Sequence, residues 1–314
     1  MTHTLLECLL AGDPALARLT RKYLLDTQTP YVTQGWIGAF LERFDPQTGR
    51  WGRGIYGPKW ISTFYTMRDL AALEIDPLHP IYQKGLDTLL ESLMDLRHLE
   101  GRDLCVAAMF ASLLAYGQRE SWQILPLIRY LVDHAQPDGG WNCGMFSHDT
   151  KKSSVHTTIS VLEAFAGCEA GGVSGLPEEM RDQAACGREY LLRKGLMRRE
   201  TDGSLILPQI TRFHFPDRWH YDVLRALLYL ANARFPIDPR MTEAMDLLKD
   251  QFRRGYLLRG SAYSGLVHFP METGRIGMMN TLRGLRVLRQ YDPQLCARLL
   301  EQPLPAAVGP AIRK

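Results

Sequence analysis

The chain has 314 residues, 46% of them hydrophobic, enough to bury a large core. Its formal net charge of +3 comes from 37 basic and 34 acidic side chains spread along the sequence, so it has no basic stripe of the kind a nucleic-acid backbone requires. No window reaches the roughly 18 uninterrupted apolar residues of a transmembrane segment, the first residues lack the basic start and apolar stretch of a secretory leader, and the six cysteines occur singly; these features predict a cytoplasmic protein with reduced thiols.

Asp13-Pro14 opens the first predicted helix, which runs to about Leu25, with Asp13 as N-cap and Pro14 at the first helical position, where its missing N–H costs nothing. Further helices are expected near 60–74, 80–97, 103–116, 122–135, 153–167, 178–194, 219–233, 239–252, 276–291 and 293–301. Those at 104–114, 155–167 and 223–233 are apolar or small on more than one face, which suits packing on both sides. Those at 177–193 and 238–252 carry a charged face and suit an outer, solvated layer. Alternation of the two kinds implies concentric rings. The expected fold is all-α: an α/α toroid of five or six hairpins formed by residues 1–302 as a single domain. Residues 49–56, 204–215 and 256–269 would form small β-hairpin loops at one end, and 303–314 an irregular tail.

A repeat supports this architecture. Gln136-Pro-Asp-Gly-Gly-Trp-Asn-Cys143 and Lys151-Lys-Ser-Ser-Val-His-Thr-Thr158 lead into an apolar-periodic helix. Asp45–Trp51 and 54–63 do the same, and a looser copy, Phe213-His-Phe-Pro-Asp-Arg-Trp-His-Tyr-Asp222, precedes a third helix. A self-similar unit of about 45 to 65 residues means stacked copies of one helical hairpin, each delivering its polar groups at the same end.

Leu131-Val132, Gln136 and Gly139-Gly140-Trp141 resemble the Gln-Trp repeat (QW motif) of squalene and oxidosqualene cyclases, with 45–51 as a weaker copy. Over about residues 30–291 the chain resembles bacterial prenyltransferase or squalene-cyclase-like proteins, a toroid superfamily that includes protein prenyltransferase β subunits. The resemblance implies the toroid and a terpenoid or isoprenoid ligand, but two family signatures are missing. Class II cyclases protonate their substrate with an Asp-x-Asp-Asp cluster, which this chain lacks. Protein prenyltransferases hold zinc with an Asp-x-Cys at one helix start and a His at a later one. His220 stands at the histidine position, whereas Val155 and Thr157 stand where the Asp and Cys belong.

The repeat predicts a central pocket where the inner helices start. Lys59, Trp60, Thr63, Trp141, Lys152, Arg218, Trp219, Arg275 and Asn280 are the candidate ligand-binding residues, since basic side chains beside helix N-termini suit a diphosphate or carboxylate head and indoles suit an apolar body. Asp222, His156 and His220 are the candidate catalytic residues. Cys143, His156, His220 and Asp222 form a candidate zinc set. Three functions stay open: a terpene-cyclase or prenyltransferase-like enzyme on an isoprenoid, a non-catalytic ligand-binding or scaffold toroid, and a carbohydrate-active α/α barrel. The last needs paired carboxylates, of which the helix starts offer Asp222 and Glu272.

Overall fold

Helix start signals in the sequence account for much of the structure, a computed structural model that describes residues 3–93, 95–145, 150–260 and 263–304. Among the described residues there are thirteen α-helices and one two-stranded sheet, with 54% helix and 3% strand. The helices are α1 (Leu5–Leu10), α2 (Pro14–Leu24), α3 (Gly35–Leu41), α4 (Thr63–Ala72), α5 (Pro80–Ser92), α6 (Leu104–Tyr116) and α7 (Ser121–Asp133). They continue as α8 (Val155–Ala170), α9 (Glu179–Arg193), α10 (Val223–Asn232), α11 (Thr242–Gln251), α12 (Met278–Tyr291) and α13 (Pro293–Glu301). No helix among the described residues is long and apolar enough to cross a membrane.

Asp13 caps α2 by accepting from the Ala15 N–H at 2.9 Å, and its second oxygen accepts from the Trp36 N–H at 2.8 Å, which fixes α3 beside it. Helices α1 and α3 were not legible in the apolar periodicity because each is at most seven residues long, although Thr4 and Glu7 form a capping box at α1. The helix expected over 219–233 begins later, at Val223, because Asp222 is its N-cap. Trp219, His220 and Tyr221 therefore lie in the approach rather than in the helix.

Helices α4, α6 and α8 pack in sequence, as do α10, α12 and α2. An ion pair between Arg225 of α10 and Glu163 of α8 joins the two sets, and Glu74, just after α4, binds Arg18 and Lys22 of α2. Ten of the thirteen residues of α6 are buried, as a helix packed on both sides requires. Helices α5, α7, α9, α11 and α13 each back onto an inner helix and bury one face. The first and last described helices meet, with α1 against α13 and the Leu5 N–H donating to the Gln302 carbonyl at 3.1 Å. The buried apolar side chains form one connected core.

The repeat is visible as packing. In one copy Trp141 is fully buried, its indole N–H donates to the Leu131 carbonyl at 2.7 Å, and its backbone N–H donates to Thr158 Oγ1 at 3.1 Å. In the other, Trp51 does the same with the Phe40 carbonyl at 2.7 Å and Thr63 Oγ1 at 3.1 Å. Each indole leans on a glycine of the outer helix: a Cβ on Gly85 would lie 2.8 Å from the Trp51 ring, and one on Gly187 would lie 2.9 Å from the Trp141 ring.

Of the expected hairpins, only one forms a sheet. β1 (Phe44–Asp45) pairs antiparallel with β2 (Arg50–Trp51), Phe44 opposite Trp51. The 204–215 segment instead makes one isolated bridge, Arg198 with Leu205, and a 3₁₀ turn over Pro208–Thr211, where proline has no N–H for a ladder. In the 256–269 segment, of which 261 and 262 lie outside the described residues, Leu258 bridges Ile276 and Leu266 exchanges backbone bonds with Lys59 and Trp60. Pro303 pairs with Thr4, while residues 305–314 of the expected tail lie outside the described residues.

Candidate functional site

Where the inner helices begin, aromatic and basic side chains pack against one another. Trp60 is 4% exposed, its indole N–H donates to the Ser264 carbonyl at 3.0 Å, and its backbone N–H donates to the Leu266 carbonyl at 2.7 Å. The Arg218 guanidinium lies 4.6 Å over the Trp60 ring and 3.2 Å from Asp69. A left-handed φ of 55° at Arg218 turns the chain there, and Trp219, His220, Tyr263 and His214 follow as a stack with centroid spacings of 3.8, 3.6 and 4.6 Å. His156 closes the group edge-on to Trp219, 6.0 Å from His220 between centroids, and its Nδ1 accepts from the Tyr221 N–H at 2.8 Å. Lys59 Nζ lies 5.4 to 5.9 Å from the rings of Tyr56, Trp60, Tyr65 and Trp219. Burial holds the His156 imidazole down at about 4; burial and then the charge of neighbouring imidazoles hold His220 at about 3. Both rings are neutral in the stack at neutral pH.

Six predicted residues, Lys59, Trp60, His156, Arg218, Trp219 and His220, are thus brought together, as a plug. Beside the plug lies a small cavity of about 130 Å³, bordered by Trp60, Arg218, Tyr263 and Glu272. The other candidates serve elsewhere. Asp222 has one oxygen on the Arg225 N–H at 2.8 Å and the other on the His214 N–H at 3.0 Å, so both oxygens of the expected proton-transfer group hold backbone. Asn280 is fully buried and donates to the Phe213 carbonyl at 2.9 Å. Thr63 and Trp141 belong to the repeat packing, and Lys152 and Arg275 are exposed. Glu272 accepts from the Met279 N–H at 2.9 Å.

The candidate zinc set is not assembled. Among the described residues no group of three or more His, Cys, Asp or Glu side chains could hold a metal. Cys143 Sγ instead accepts from the Cys105 N–H at 3.1 Å, His156 Nδ1 is taken by Tyr221, and Asp222 caps α10.

The large space lies on the other side of the plug. A cavity of about 880 Å³ opens between α2, α4, α8, α10 and α12, mostly along their C-terminal halves, with α9 on its flank. Phe165, Phe215, Leu228, Tyr229, Phe235 and Leu282 supply apolar wall. Six arginines and four carboxylates also line it. Glu163 takes a two-pronged ion pair from Arg225 at 2.8 and 2.6 Å, while Arg225 Nη1 donates to the His220 carbonyl at 2.7 Å and so links cavity to plug. Arg283 reaches Asp217 Oδ2 at 2.6 Å and the His214 carbonyl at 2.8 Å. Asp217 Oδ1 is buried without a hydrogen-bond partner. Burial raises the Asp217 carboxyl despite Arg283, whereas at Glu163 burial, the largest single effect, is overcome by Arg225 together with Arg68 and Arg283, and the carboxyl is lowered.

Among the described residues three wall arginines, Arg188, Arg234 and Arg286, make no ion pair, and Arg286 feels Glu74 only at longer range. Arg286 stacks 3.5 Å over the Tyr23 ring and donates to Asn232 Oδ1 at 2.8 Å, and Arg188 Nη1 meets the Tyr229 hydroxyl at 3.4 Å. Deeper in, Arg68 Nη2 donates to the Arg218 carbonyl at 3.0 Å and its Nε has no partner. Sequence reasoning missed these groups because it watched helix starts. The available signal was a charge inside an otherwise apolar run: Glu163 within 159–165, Arg225 within 223–230, and Arg283 with Arg286 at i, i+3 on α12. A scan against protein-family models finds no match to the chain, and neither does a search of curated proteins.

Proposed function

We propose that the paired helices make an α/α toroid and that it binds an apolar, isoprenoid-like molecule with an anionic head in its 880 Å³ cavity. One observation carries this reading: arginines outnumber carboxylates around an aromatic-walled space, and Arg188 and Arg286 face it without an ion pair among the described residues. A half-buried cation without an ion pair has given up part of its hydration, and an anionic ligand would replace it. The volume falls within the roughly 300 to 1,000 Å³ typical of small-molecule sites. If the site is catalytic, Asp217 is the acid with a free oxygen on the cavity wall. A lone carboxyl suits departure of a diphosphate better than protonation of an unactivated alkene. A non-catalytic binding toroid would use the same cavity.

A second reading, a carbohydrate-active barrel, draws on Glu163 and Asp217 sharing the cavity, since such enzymes use paired carboxylates. Both being tied to arginine counts against it. Calorimetric titration with an isoprenoid diphosphate, the matching alcohol, inorganic diphosphate and a linear oligosaccharide separates the readings. The isoprenoid diphosphate should bind tightest, and Arg286→Gln should weaken it about tenfold, the scale of a lost charge-assisted hydrogen bond. Tighter binding of the oligosaccharide would favour the second reading, and binding of none of the four would overturn both.

A further inference from the structure

The thiols of Cys105 and Cys143 lie outside cavity and plug and take part in neither. Cys105 is the second residue of α6, and its N–H donates to Cys143 Sγ at 3.1 Å. The Thr157 hydroxyl, on α8, donates to the same sulfur at 3.5 Å, and the Cys143 N–H returns a bond to Thr157 Oγ1 at 3.4 Å. The Cys105 thiol belongs to the residue whose N–H holds that sulfur, so the two thiols are neighbours. Both cysteines are half-buried, so each stays within reach of a small reagent. Two donors from two helices thus converge on one sulfur, an environment that favours a thiolate, and a second thiol stands beside it.

We infer that Cys143 is a reactive thiolate and Cys105 its resolving thiol, so that the pair is a reversible oxidation site for a hydroperoxide. The Cys143 thiolate attacks the terminal peroxide oxygen and the O–O bond breaks, leaving a sulfenic acid on Cys143 and an alkoxide or hydroxide that takes up a proton. Cys105 sulfur then attacks the Cys143 sulfur; the disulfide forms, and the sulfenic oxygen leaves as water with the Cys105 proton. Two thiols are oxidised and one peroxide is reduced, and an external dithiol reverses the change. The groups around the sulfurs are Asp103 at the start of α6, Tyr56 in the loop before α4, Tyr130 on α7 and Thr157 on α8. The hydrogen bond from the Cys105 thiol lowers Cys143 most, burial opposes it, and the Cys105 N–H and Thr157 add to the lowering, with Cys143 near 7; Cys105 is raised in return.

Alkylation by iodoacetamide at pH 7, read by peptide mass spectrometry, gives the test, with the exposed Cys186 as internal reference. Cys143 should alkylate about tenfold faster than Cys186, reflecting its larger thiolate fraction. Stoichiometric hydrogen peroxide should yield a peptide pair cross-linked between Cys105 and Cys143, released by dithiothreitol. Cys105→Ser should stop at a sulfenic acid on Cys143 that dimedone traps. Alkylation of Cys143 no faster than Cys186, with peroxide giving no Cys105–Cys143 link in the unaltered protein, would overturn the inference whatever the variant does.

Discussion

The two ends of the inner helices are built from similar side chains and are opposite in kind. At the starts of α4, α8 and α10, Trp60, Arg218, Trp219, His220 and Tyr263 touch one another and leave about 130 Å³. Away from those starts, Arg188, Arg225, Arg283 and Arg286 stand around about 880 Å³ with Phe and Tyr between them. The basic and aromatic residues of the plug satisfy each other, through cation–π contact, ring stacking and backbone hydrogen bonds. Those of the cavity leave cations over. A repeat in sequence marks where helices must be anchored to loops, and anchoring consumes the polar groups that do it.

The comparison breaks first at the anchors. Trp141→Ala should destabilise the fold by about 3 to 5 kcal/mol, the range for deleting a buried aromatic, because it also orphans the Leu131 carbonyl. Denaturant titration measures this, and a loss below about 1 kcal/mol would mean that the repeat indole is not an anchor. Next comes the cavity wall, where Glu163→Gln leaves Arg225 without its counter-charge. Since the Glu163 side chain is 31% exposed, the expected loss is about 2 to 3 kcal/mol, below the full value for a buried pair. The same titration would contradict the wall account if the variant matched the parent.

Acid should act on the plug imidazoles and on the buried carboxyls with opposite signs. The imidazoles of His156 and His220 are held below their ordinary 6.5, so between that value and about 4 the folded chain binds fewer protons than the unfolded one. Their contribution is full above pH 6.5 and is lost as pH falls through that window. At Asp69 burial, only partly offset by Arg218, raises the carboxyl from 3.8 to about 6, and Asp217 is raised as well, so there protonation favours the fold between those values. His220→Phe keeps a flat ring in the stack and should flatten the fall in unfolding midpoint between pH 6.5 and 4. An unchanged pH profile would remove His220 from the account. The smallest effect belongs to Lys152→Ala, an exposed residue, at within about 0.5 kcal/mol of the parent.

Much of the fold was legible. The apolar runs at 104–114 and 155–167 read as doubly packed helices, and α6 and α8 are that. The clustering of Trp60, His156, Arg218, Trp219 and His220 also followed from the repeat. What the repeat could not convey was whether they enclose space, since that depends on the 263–269 segment, which reaches back from far along the chain to bond Trp60 and Thr66. Asp222 looked like a proton donor because it is the acid at a helix start. An acid at a helix start is also the best N-cap, and the cap is what the Arg225 N–H takes from it. The cavity charges were hidden for the opposite reason: Glu163 and Arg225 interrupt apolar helices where a charge looks like a surface residue, and only the pairing of α8 with α10 makes them partners.

Photo-crosslinking with a benzophenone-bearing isoprenoid diphosphate, followed by peptide mapping, tests the central claim most directly. Binding in the cavity predicts adducts on α8, α10 and α12, at positions such as Phe165, Leu228 and Leu282, that free isoprenoid diphosphate competes away. Adducts confined to Trp60, Trp219 and Tyr263, with the cavity helices unlabelled, would place the ligand at the plug and contradict the account.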